Sequence, residues 1–271
     1  ADGQWTSVNT FYFNAGGTGT GAVTDPPGSQ GGMPAGVYYL GFSFGPNSTL
    51  SLNTLYGEES QTATDKQSAS FYTPAIPKTE AGTVYYLSLR ATDRVYNSSN
   101  WEKIKTIKYD GLEPGLPANY RMNNGLEYAS TSNFLLNWNV AVDHGGSGVK
   151  QYKLKIFGLD SAGAQQQSSD VITILSANGA VSYSYWVSDN ALNGDKGNLN
   201  LAFGLLNEYT YYAMIIVEDN VGWNSAKKYT GDMMQYGLMS NLVLMDNLPP
   251  DRVKNPRVVN KTTTEVSWKW G

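Results

Sequence analysis

One histidine, His144, and no cysteine among 271 residues leave few routes to catalysis. Ser-His-Asp and Cys-His arrangements reduce to one base, set in the Gly-rich turn Asp143-His144-Gly145-Gly146 with no Gly-x-Ser-x-Gly elbow near it, so His144 is expected to be solvated. Zinc needs three or four nitrogen or sulfur ligands, which this chain does not offer. Glycoside hydrolysis needs two carboxylates facing each other across a cleft. The candidates Glu58, Glu59, Asp143, Asp189 and Asp195 stand in turns, and the expectation for each is a solvated turn residue. Calcium is served better: Asp189, Asn193 and Asp195 surround a glycine turn with hard oxygen ligands, although no Glu stands where an EF-hand loop needs one. Backbone requirements alone also favour an Asn/Asp/Gly turn there. Trp101 and Trp223, in or just after turns, are candidates for stacking on a sugar or for anchoring an interface; the plainer expectation is that each packs on its own or the next module.

The elements that must position these residues are strands. Charged residues are 15% of the chain against roughly 25% in ordinary soluble domains, while Gly (29) and Tyr (19) are abundant. A formal net charge of −4 leaves no basic stripe, which argues against nucleic acid and anionic membrane surfaces as partners. No apolar run is long enough to span a bilayer as a helix. The opening Ala1-Asp2-Gly3 is compatible with a processed, mature end.

The strongest signal is a repeat. Tyr85, Leu87, Leu89, Ala91 and Asp93 are matched by Tyr211, Ala213, Ile215, Val217 and Asp219 at a constant offset of 126. Each segment alternates inward apolar with outward residues, the period of a strand buried on one face. Each then turns, through Asp93-Arg94-Val95-Tyr96-Asn97-Ser98-Ser99 and through Asp219-Asn220-Val221-Gly222-Trp223-Asn224-Ser225. Upstream, Phe134, Leu136 and Trp138 alternate with Leu135 and Asn137, and Tyr152, Leu154 and Ile156 with Lys153 and Lys155.

The Tyr-x-Leu-x-Leu-x-Ala-x-Asp pattern resembles a strand of fibronectin type III and related bacterial immunoglobulin-like surface modules, as does Leu205 six residues before Tyr211. The resemblance implies tandem all-β sandwiches, with Tyr211 forming a tyrosine corner. Both turns depart from the family's Asp-x-Ala-Gly-Asn-x-Ser, so no binding role carries over to them. Expected boundaries are 1–113 for a first sandwich with a long Gly/Pro-rich loop at 15–36, 114–247 for a second, and 248–271 for a linker and the first two strands of a third. Prolines at Pro114, Pro117, Pro249 and Pro250 should hold neighbouring modules semi-rigidly, as a rod.

Val266, Trp268 and Trp270 alternate like the start of another module, and two strands alone bury too little to be stable. They either continue into further modules or pair with a neighbouring copy by strand addition. The Lys103-Ile104-Lys105-Thr106-Ile107-Lys108 strand reads as a charged, protected edge. The expectation is a non-catalytic array at the bacterial cell surface or outside the cell: a shaft, spacer or fibre subunit that self-associates or packs on its own modules. The other reading is a set of carbohydrate-binding modules accompanying a secreted polysaccharide-degrading enzyme, with carbohydrate or a host or cell-surface protein as partner. No cofactor is expected beyond the calcium candidate.

Overall fold

The computed structural model describes residues 2–16, 35–59, 68–130, 133–188, 198–200, 204–226, 237–250, 257–261 and 266–269. They form two tandem immunoglobulin-like β-sandwiches joined by a short, proline-containing linker, and a separate two-stranded sheet. In the first, a five-stranded sheet runs in the order Trp5–Thr6, Glu102–Tyr109, Val84–Asp93, Val37–Gly45, Thr54–Glu59. The antiparallel pair Tyr12–Gly16 and Ser68–Tyr72 packs on this sheet, bringing Phe71 and the neighbouring Phe11 and Phe13 to the core. Alternate residues point inward and make one core of Leu40, Phe42, Phe44, Phe71, Tyr85 and Leu87. Phe42 stacks on Phe71 and Phe44 on Tyr85, each pair with centroids 5.2 Å apart.

In the second, Asn198–Asn200, Ser182–Ser188, Asn133–Asn139 and Arg121–Met122 form one sheet. The other orders Gln165–Ser168, Val149–Leu159, Thr210–Asp219, Val243–Met245 and Tyr128–Ala129. Trp138 is fully buried between them, stacked on Tyr183 and Tyr185 with centroids 5.4 and 5.6 Å away. Tyr152, Leu154 and Ile156 point inward as their spacing requires, while Lys153 turns out and places Nζ 2.6 Å from Glu218. Burying each such large apolar side chain contributes about 1.5–3 kcal/mol, which is how a cysteine-free sandwich holds together.

The sequence repeat extends to individual hydrogen bonds. The Ser99 amide donates to the Ala91 carbonyl and the Ser225 amide to that of Val217, both at 2.9 Å. The two serine hydroxyls accept from the Ala91 and Val217 amides, both at 3.0 Å. Val37 faces Asp93 and Val149 faces Asp219, each followed by a one-residue register shift. The tyrosine corner is present: the Leu206 amide donates to Tyr211 Oη at 2.7 Å, and that hydroxyl donates to Gln167 at 3.0 Å. The Lys-rich strand Glu102–Tyr109 is only partly an open edge. Trp5–Thr6 pairs with it in parallel at Lys108 and Tyr109, and the Gly3 amide donates to the Thr106 carbonyl.

The strands Arg257–Lys261 and Val266–Lys269 pair with each other in a two-stranded sheet. Val266 and Trp268 lie on the second of these strands; Trp270 lies outside the described residues, as do Asp189, Asn193 and Asp195 and most of the Gly/Pro-rich loop.

Candidate functional site

Three aspartates from separate loops meet at the junction of the two sandwiches. Asp110 follows the last strand of the first module, Glu102–Tyr109, and its amide donates to the Thr6 carbonyl at 2.9 Å. Asp143 opens the Gly-rich turn of the second module, and Asp219 opens the turn after Thr210–Asp219. One carboxylate oxygen from each lies within 4.8 Å of those of the other two. Asp110 and Asp219 are fully buried and Asp143 half-buried. Among the described residues none of the three is paired with a lysine or arginine.

Local chemistry explains why the chain accepts this. Short Asx turns shape both loops. Asp143 accepts from the Gly145 amide at 3.1 Å and from the Gly148 amide. Asp219 Oδ1 accepts from the Val221 and Trp223 amides, both at 2.9 Å. Asp110 accepts from the Leu112 and Ser147 amides, both at 3.2 Å, so a first-module carboxylate is held by a second-module loop. Gly145 permits the approach: a Cβ there would stand 1.6 Å from Asp110 Oδ1.

What these bonds leave over is Asp219 Oδ2, which is buried and accepts no hydrogen bond among the described residues. Burial pushes the Asp219 carboxyl up to about 6, the Trp223 amide works against that, and the charges of Asp110 and Asp143 add to it. A buried carboxylate with an idle oxygen beside two others is a costly arrangement.

Further contacts tie the modules together here. Trp223 Nε1 donates to the Asp110 carbonyl at 3.3 Å, and Lys78 of the first module lies over the Trp223 ring, 5.0 Å from its centroid. Trp5 of the first module lies against the Gly146 turn of the second. The Gly115 amide donates to the Val142 carbonyl at 2.8 Å, fixing the linker on the same loop.

Of the carboxylates singled out in the sequence, only Asp143 enters this cluster. In the sequence Asp219 is readable only as the start of a turn, and Asp110 only as a residue beside the proline-bearing linker. The signal that would have found Asp219 is its partner in the repeat: where the first turn has Asn97, the second has Trp223. His144 is exposed, as expected for its turn. Glu58 and Glu59 lie on the strand Thr54–Glu59. Trp101 is half-buried with the Arg90 guanidinium 4.7 Å from its ring centroid.

No family model matches the chain, and no curated protein matches it. Among solved structures it is similar to the crystal structure of domains A168–A170 from titin, at 13% identity over 88% of this chain and 75% of that one, with a TM-score of 0.39. Among the described residues no helix is long and apolar enough to cross a membrane.

Proposed function

We propose that the chain is a non-catalytic extracellular array in which sandwiches are docked end to end as a spacer or adhesive shaft. The observation that carries this is the junction: Asp110, Trp223, Lys78 and the Gly145-Gly146 turn join the two modules through hydrogen bonds and ring contacts. A flexible tether would need none of them. Prolines in the linker act in the same direction by restricting the backbone. The acidic cluster supports a structural role over hydrolysis, because Asp110 and Asp219 are fully buried, whereas glycosidase carboxylates face a sugar across an open cleft.

Self-association belongs to the same proposal. The hairpin Arg257–Lys261 and Val266–Lys269 pairs with no third strand among the described residues, and an isolated two-stranded hairpin is marginal in water. Val266 and Trp268 would gain a partner by strand addition to a neighbouring module.

Single-molecule stretching of the chain tests the reading. Two discrete unfolding events, with no slack taken up at the linker beforehand, are expected; a freely extensible linker would overturn it.

A further inference from the structure

We infer that Asp110, Asp143 and Asp219 bind one calcium ion at the junction of the two modules. The inference stands on the geometry of these residues and does not require the array to be a spacer.

Two independent observations point to a cation. The first is the convergence of three carboxylates from three separate loops, with an oxygen of each within 4.8 Å of the others. Calcium ligands sit about 2.3–2.6 Å from the ion, so opposite ligands are about 4.6–5.2 Å apart and a single ion fits among the three. The second is Asp219 Oδ2, which lies on a residue with 0% exposure and has no partner among the described residues. Its sister oxygen is already committed to two turn amides, so the fold itself does not need Oδ2.

The repeat supplies an internal control. In the first module the equivalent carboxylate, Asp93, has Oδ2 partnered by Asn97 Nδ2 at 2.9 Å. In the second module the side chain at that place is Trp223, which points away to the Asp110 carbonyl and leaves the oxygen open. The donor set is all oxygen and carries up to three negative charges, which selects a hard divalent ion over zinc. Calcium tolerates the irregular geometry of loop carboxylates that also accept backbone amides, and water would complete its shell. Magnesium demands a near-ideal octahedron at shorter distances.

Because Asp110 belongs to the first module and the other two to the second, the ion would join the modules and lock the linker. Calorimetric titration of calcium into the chelator-stripped full chain tests this, up to about 10 mM to cover the weak affinities of extracellular modules. One equivalent should bind, and Asp219→Asn should weaken binding about tenfold or more. That substitution keeps the oxygen that accepts from the Val221 and Trp223 amides, so the variant should fold; Asp110→Asn is the second variant and should weaken binding too, its fold checked by circular dichroism because it also loses one of the bonds from the Leu112 and Ser147 amides. Absence of binding, or binding untouched by both substitutions and lost instead in Asp195→Asn, would overturn the assignment. Failure here leaves the docked array standing, since that is read from linker extension.

Discussion

Asp93 and Asp219 occupy the same position in the two modules and close the same turn, yet only Asp93 has both carboxylate oxygens partnered. The substitution of Trp for Asn four residues on separates them. In the first module the turn is self-contained and faces solvent. In the second, the tryptophan is spent on the neighbouring module and the carboxylate is buried against two others.

The two aspartates should therefore respond oppositely to pH. For Asp93, the desolvation that raises its pKa is outweighed by the bonds from the Asn97 side chain and the Asn97 and Val95 amides, so it lies below the usual value. Its contribution is present above about pH 3.9 and lost on acidification. Asp219 keeps its proton to about pH 6 in the fold and loses it near 3.9 when unfolded, so in chelator stability should fall by about 2 kcal/mol from pH 4 to 6. Urea unfolding at pH 4.5 and 6.5 checks this; Asp219→Asn should remove the fall, and an unchanged slope would contradict it.

Trp223→Ala removes the bond to the Asp110 carbonyl and the ring under Lys78. Together these are worth about 1–2 kcal/mol at the junction. Proteolysis within residues 110–117 should accelerate about tenfold, while the thermal transitions of the modules change little. Cleavage at the wild-type rate would show that the tryptophan does not hold the linker.

Gly145→Ala should be far more damaging than its size suggests, because the added carbon would sit 1.6 Å from Asp110 Oδ1. The loop or the linker must move, at a cost of about 1–3 kcal/mol. Gly204→Ala, where the added carbon meets nothing within 4 Å, is the control and should be silent in the same melting experiment.

Tyr211→Phe deletes a buried hydroxyl that serves Leu206 and Gln167. Leaving that amide unpaired should cost the second module about 1–3 kcal/mol and leave the first unaffected. Calorimetry with two resolved transitions separates the outcomes; a shift in both would argue that the modules unfold as one.

The sandwiches were legible in the sequence because a half-buried strand writes itself as alternation. Phe134, Leu136 and Trp138, and Tyr152, Leu154 and Ile156, are buried as their spacing requires. The tyrosine corner followed from Tyr211 standing at the start of such a strand. The acidic cluster was not legible, since Asp110, Asp143 and Asp219 are far apart in the chain and only docking of one module on the other joins them. Local density of Asp, Asn and Gly pointed instead to 189–195. Trp223 stood out in its turn, but a sequence does not tell a ring that stacks on a ligand from one that reaches a neighbouring linker.

In the proposed array the two modules share one fixed orientation through the Asp110 junction. The chain has no cysteine, so Ser51→Cys and Ser161→Cys, at exposed positions on the first and second modules, allow a clean pair of nitroxide labels. Double electron–electron resonance in calcium should give a single narrow distance distribution, broadened by Trp223→Ala. A broad distribution in the unaltered junction, insensitive to Trp223, would contradict the account.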